Sequence, residues 1–269
     1  MNEQSAPVNW QQGDAYERYI GRWSRQVAPL FLAWLDIPPG RRWLDVGCGT
    51  GALSAAILER CAPAGVTGVE PSDGFRALAI EQLGPRARVL PGSAEALPLG
   101  DASCDVAVSG LVLNFVPDVA AALAQMRRVV APGGTIAAYV WDYADRMEVI
   151  RLFWEEAVSL DAEAARLHEG ARFPLCHPHA LKAAFEQAGL AGVEVVPLDG
   201  VAAFASFDDY WQPFLGGQGP APTYASGLPE SQRITLRNAL QERLAAGGDG
   251  SIRLNARAWA VRGASPGIA

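Results

Sequence analysis

The densest chemistry in the chain lies at residues 44–51, LDVGCGTG, where an acid is followed by glycines at 47, 49 and 51. Glycines at alternate positions let the backbone turn sharply and let a ligand approach main-chain atoms. A helix starting just after them offers free N–H groups to an anion. About 20 residues on, the segment 65–73, GVTGVEPSD, places Glu70 and Pro71 at the end of a second apolar run. A carboxylate there can accept hydrogen bonds from ribose hydroxyls. Loop and acid together point to an adenosine-type ligand. A dinucleotide satisfies them, since 47–52 (GCGTGA) fits the permissive GxGxxA pattern. A sulfonium nucleoside carrying an amino-acid tail also satisfies them, with Asp45 supplying negative charge near its cationic end.

These groups need a scaffold, and the pattern from 42 to 141 supplies one. Apolar runs at 42–46, 65–69, 87–90, 105–113 and 135–141 alternate with helical periodicity at 53–61, 72–83 and 118–130. Alternation of this kind predicts an α/β fold with a parallel sheet covered on both faces. A helix is expected at 14–35, ended by Pro38, Pro39 and Gly40. After 142 the alternation stops. Helices are expected at 146–160, 181–188 and 228–246, short strands at 193–196 and 201–204, a Gly/Pro-rich loop at 216–227, and a last strand at 252–261. The expected division is a helical cap (1–40), a ligand-binding core (41–143), a lid insertion (144–180), a core helix and strand (181–204), a second lid insertion (205–250), and a last strand with its tail (251–269).

Composition narrows the class. Of 269 residues, 22 are Lys or Arg and 29 are Asp or Glu, a formal net charge of -7. An acidic chain without basic blocks is a poor partner for a phosphate backbone, so no nucleic-acid partner is expected. The chain has no long apolar run, so no membrane span is expected. Its polar opening does not read as a basic region followed by an apolar one, so no secretory signal is expected. The cysteines at 48, 61, 104 and 176 show no CxxC spacing. No metal is therefore expected, and a reduced, cytoplasmic setting is.

Four stretches together resemble the class I S-adenosylmethionine (SAM)-dependent methyltransferases, in particular the small-molecule branch similar to the ubiquinone/menaquinone biosynthesis enzymes. They are 44–51, 65–73, GSAEALPLGDASCDVAVSGLVLNFVPD (92–118) and VVAPGGTIAAYVW (129–141). The resemblance implies a doubly wound, mostly parallel seven-stranded Rossmann-like sheet with an antiparallel last strand and a helical lid. It implies SAM as cofactor, S-adenosylhomocysteine (SAH) as product, and in-line methyl transfer to a small-molecule acceptor. Carried over by position, Asp45, Gly47, Gly49, Thr50 and Gly51 line the methionine side. Glu70, Pro71 and Ser72 hold the ribose and close the nucleoside pocket, and Ser93, Ala94 and Glu95 meet the adenine edge. Ser109 and Gly110 lie under the sulfonium, with Asn114 and Phe115 at the wall. On the first helix, Tyr19 would cover the methionine tail and Arg25 or Arg22 would pair with the SAM carboxylate; the alternative is an amphipathic helix whose aromatics pack on the core. The chain departs from base N-methyltransferases, which carry Asn/Asp-Pro-Pro-aromatic where this one reads SGLVLNF.

No acceptor-site signature is visible. His168, His177 and Tyr143 are candidate general bases, although His177 and His179 precede a helix, where capping is the commoner role. Trp154, Phe173, Trp211, Phe214 and Tyr224 line an acceptor pocket or pack the lid. An NAD-dependent oxidoreductase and a SAM-binding protein without chemistry remain the competing readings.

Overall fold

The computed structural model describes residues 22–216, 219–244 and 250–266. Seven strands form one sheet in the order β3-β2-β1-β4-β5-β7-β6. They are β1 (Arg42–Val46), β2 (Gly65–Glu70), β3 (Arg88–Pro91), β4 (Cys104–Gly110), β5 (Val130–Trp141), β6 (Ala191–Phe204) and β7 (Ile252–Ala264). The first five pair in parallel, while β7 runs antiparallel to both β5 and β6. This is the doubly wound, mostly parallel sheet expected from the sequence. Its central strands are near-continuously apolar because helices cover both faces, and Leu44, Val46, Ala107, Val108, Ile136 and Ala138 are fully buried.

The helices are α1 (Arg22–Leu35), α2 (Ala52–Arg60), α3 (Asp73–Leu83), α4 (Val119–Val129), α5 (Glu148–Leu160), α6 (Glu169–Arg172), α7 (Pro178–Gln187), α8 (Phe207–Trp211), α9 (Pro220–Gly227) and α10 (Glu230–Arg243). Local chemistry sets their starts. The Ser72 hydroxyl accepts from the Phe75 N–H, and the Asp118 carboxylate accepts from the Ala121 N–H at 2.9 Å. Gly51 opens α2 with φ 94°, a conformation that favours glycine.

Several boundaries differ from expectation. Strand β4 stops at Gly110, because Leu111 adopts φ 62° and a short 3₁₀ turn follows at Leu113–Phe115. Strand β5 begins at Val130, and the register with β4 shifts so that residues 131–134 bulge between two paired stretches. The two expected strands at 193–196 and 201–204 are one continuous strand, β6, paired with β7 from Glu194 to Phe204. Pro197 is tolerated there because β6 is an edge strand, whose outer N–H groups need no partner strand. Most of the expected 216–227 loop is helix α9, with Pro220 at its first position, where the missing N–H costs nothing.

After β5, helices α5, α9 and α10 pack together, while α7 packs on β6 and β7. Aromatic residues of these segments pack on one another: Phe153 stacks on Phe214 at 4.6 Å, Trp154 meets Tyr224 at 5.3 Å, and the Tyr210 hydroxyl donates to the Val149 carbonyl. Arg243 of α10 binds Glu155 and Glu156 of α5, and both Asn255 N–H donors reach Glu148. Trp154, Trp211, Phe214 and Tyr224 are thus members of this core.

Candidate active site

The parallel strands β1, β2, β4 and β5 end on the same edge of the sheet, the edge where open α/β folds bind ligands. A cavity of about 340 Å³ lies there, floored by the glycine loop after β1. Gly47 has φ 71°, and its N–H and that of Cys48 both donate to the Val69 carbonyl, folding the loop back against β2. A side chain at Gly47 would lie 2.6 Å from Val112, so the loop and the segment after β4 pack without any space between them. Gly49 has open space above its α-carbon and leaves the floor bare.

Glu70, at the end of β2, is the organising acid. One carboxylate oxygen accepts from the Gly49 N–H at 3.0 Å and the other from the Ser72 N–H at 2.9 Å. It therefore ties the glycine loop to the start of α3. Asp45 is 1% exposed and accepts from the Ser54 hydroxyl at 2.7 Å. Burial raises its pKa to about 7, the Ser54 hydrogen bonds counter this, and the nearby Glu70 charge adds to it. Burial also raises the Glu70 pKa, opposed by its two backbone donors. Glu95 completes the acidic lining, and its carboxylate accepts from the Asp118 N–H at 3.0 Å. Three carboxylates border the cavity, and among the described lining residues no Lys, Arg or His does. Such a wall suits a cation and repels a pyrophosphate.

Residues 44–138 match the family described as Methyltransferase domain. Two curated relatives are a malonyl-[acyl-carrier protein] O-methyltransferase of Serratia marcescens and a demethylmenaquinone methyltransferase of Staphylococcus aureus. The first is 37% identical over 42% of this chain and 43% of its own length. The second is 28% identical over 63% of this chain and 76% of its own. The chain spans about two-fifths of the length of the curated relatives that it matches at 35% and 37% identity, namely 40% and 43%. Among solved structures, the YcgJ protein of Bacillus subtilis superposes with a TM-score of 0.60 at 20% identity, covering 90% of this chain and 99% of that one.

The cavity gathers most of the residues singled out from sequence. Asp45, Gly47, Gly49, Thr50, Glu70, Pro71, Ser72, Ser93, Ala94, Glu95 and Gly110 all border the one cavity. Phe115 borders it too, and its ring meets Phe173 edge-on at 5.0 Å. Four others do not reach it. Gly51 shapes the α2 start and faces Leu83. The Ser109 hydroxyl donates to the Val46 carbonyl at 2.9 Å, joining β4 to β1, so the sheet keeps it out of the cavity. Asn114 lies in the 3₁₀ turn after β4, away from the lining. Arg25 is on the exposed side of α1, while its neighbour Ser24 borders the cavity. Tyr19 lies outside the described residues.

None of the candidate bases borders the cavity. The His168 ring accepts from the Gly170 N–H at 2.9 Å, capping α6, and burial lowers its pKa. His177 is exposed at the start of α7. Tyr143 is buried and faces Phe173 at 6.0 Å. The sequence reading missed Ser24, Phe75, Leu111, Val112 and Tyr139, all of which border the cavity.

Proposed function

We propose that the protein binds SAM in this cavity and transfers its methyl group to a small-molecule acceptor. The observation that carries the proposal is the acidic wall: Asp45, Glu70 and Glu95 border the cavity together with neutral hydroxyls and bare glycine backbone. SAM bears a sulfonium and an ammonium, so its net charge suits that wall, whereas a dinucleotide brings two phosphates to it. When bound, SAM supplies a methyl group on a sulfonium that a nucleophile of the acceptor displaces in line, releasing SAH.

The protein's own contribution is to bind and align. Glu70 holds the glycine loop against α3 and offers its remaining lone pairs to ribose hydroxyls. Asp45 carries the charge that favours the cationic end, and it does so most fully above pH 7, where it is ionised. Ser93 and Ala94 edge the nucleoside end. Alignment of two bound partners is worth up to about 7–11 kcal/mol in favourable cases. We assign 144–180 and 205–250 as the lid that excludes water from the transfer, and 41–143 as the cofactor-binding core. All four cysteines are free thiols, which supports a cytoplasmic location.

Incubation with methyl-labelled SAM and a panel of phenols, quinones, amines and carboxylates tests the proposal. Label transferred to at least one acceptor class, with SAH formed in equal amount, is expected. Binding of SAM with no transfer to any class would leave a cofactor-binding protein without chemistry.

A further inference from the structure

Phe173 joins the segments after β5 to the cavity wall. Its half-buried ring meets Phe115 edge-on at 5.0 Å, and Phe115 borders the cavity. The Tyr143 ring lies 6.0 Å from it. The next turn, Pro174–Cys176, packs on both β5 and the 3₁₀ turn at Leu113–Phe115. Phe173 is thereby held against the segment after β4, which gives the cavity Leu111, Val112, Phe115, Val116 and Pro117. It does not border the cavity itself, so it supports that wall from behind.

One turn of helix holds Phe173. Its N–H donates to the Glu169 carbonyl at 3.0 Å, closing α6. So short a helix does not stand alone, because nucleation is unfavourable. Side chains fix it instead. His168 caps its start, and Glu169, 2% exposed, accepts from the Trp154 indole of α5. The Ala221 N–H of α9 faces the same carboxyl. One buried carboxyl thus joins α5, α6 and α9. The titratable groups facing it are Arg172 on its own helix and the Cys176 thiol on the next turn, with Asp142 beyond Cys176. His168, which burial keeps uncharged near neutral pH, faces Glu155 and Arg151 of α5.

We propose that Glu169 is a positioning residue for the cavity: its uncharged carboxyl locks α6, α6 seats Phe173, and Phe173 fixes Phe115 at the wall, so that loss of the Glu169 proton loosens the wall. Burial raises this carboxyl from the ordinary 4.5 to about 8, against its own helix N–H, the Trp154 indole, the Arg172 charge and the Ala221 N–H. The locked turn therefore keeps its proton, and an opened turn, with the carboxyl in water, gives it up. A raised folded value makes the lock strongest at low pH and loses it as pH climbs from about 5 to about 8. The link to a bound ligand rests on the SAM reading of the cavity; the lock does not.

Hydrogen exchange at the Phe173 amide tests the lock, in wild type and Glu169→Gln between pH 5 and pH 8, corrected for the intrinsic rate. The opening constant of the wild type should rise about tenfold per pH unit relative to the variant. Calorimetric titration with SAH tests the link to the cavity. Phe173→Leu should raise its Kd about threefold to tenfold, the size expected of one aromatic pair. Saturating SAH should in turn slow exchange at the wild-type Phe173 amide, because coupling is reciprocal. Opening constants that run parallel in the two proteins, with SAH bound normally, overturn the lock. A lower Tm for Phe173→Leu with unchanged SAH affinity shows a merely structural role and overturns the link, as does exchange at Phe173 indifferent to SAH. Failure of the wild type to bind SAH sinks the SAM reading and the link together, while the exchange result judges the lock on its own.

Discussion

Replacing Asp45 with asparagine separates the cost of this residue to the fold from its use to the ligand. The carboxyl is raised from 3.8 to about 7 by burial, so the folded protein holds its proton more tightly than the unfolded chain does. A group with a raised folded pKa contributes stability at low pH and loses it as pH climbs to the folded value. Between pH 5 and pH 7 the linkage is worth about 2–3 kcal/mol at about 1.4 kcal/mol per pH unit. The asparagine side chain does not ionise and can still accept from Ser54. Asp45→Asn should therefore gain on the wild type by that amount between pH 5 and pH 8, a relative shift of about 5–10 °C in Tm for a chain of this size. Binding moves the other way. A unit charge about 5 Å from a cationic ligand, at an effective dielectric constant of about 20, contributes about 3 kcal/mol, or roughly a hundredfold in Kd. The variant should lose up to that much SAM affinity at pH 8 and almost none at pH 5, where the wild-type carboxyl is already protonated. Scanning calorimetry and SAM titrations at the two pH values measure both effects. A variant that is less stable at pH 8, or that loses as much affinity at pH 5 as at pH 8, refutes the reasoning.

Other perturbations have definite outcomes. Glu70→Gln keeps one acceptor but turns an N–H donor toward Gly49 or Ser72, both of which donate to the present carboxylate. It should cost about 1–3 kcal/mol in denaturant unfolding and weaken adenosine-containing ligands; an unchanged midpoint would show that the loop does not depend on this acid. Beyond β5, the Trp154 indole N–H donates to the buried Glu169 carboxyl, which burial raises to about 8. Wild-type stability should therefore fall more steeply than that of Glu169→Gln, which keeps its acceptor, as pH rises from about 5 to about 8. Since Glu169 does not border the cavity, SAH affinity at pH 7 should be equal in the two proteins; parallel pH–Tm curves would contradict the reading.

The alternating core was legible because parallel strands covered on both faces leave continuous apolar runs, and because glycines mark where a backbone must bend. The cofactor-facing loops followed from those runs. What escaped was side-chain direction. Ser109 and Gly110 are adjacent at the end of β4, yet the pleat turns the Ser109 hydroxyl onto Val46 and leaves Gly110 at the cavity. Nothing local fixes that parity. Tyr139 sits within TIAAYVW, where a tyrosine reads as one more strand residue, and only the pairing with Gly110 gives its phenol a direction. Strand β6 was read as two pieces because Pro197 and the Asp199-Gly200 pair look like breaks, while its place at the sheet edge tolerates the proline. The candidate bases lie away from the cavity for a different reason. Histidine spacing carries no information about an acceptor, and His168 serves to cap a helix.

The central claim is that the glycine floor and its acidic wall accept a sulfonium nucleoside. Calorimetric titration of the wild-type protein at pH 8 with SAM, and separately with NADH, addresses it most directly. One SAM should bind per chain with no measurable NADH heat. Saturable NADH binding without any response to SAM would contradict the account.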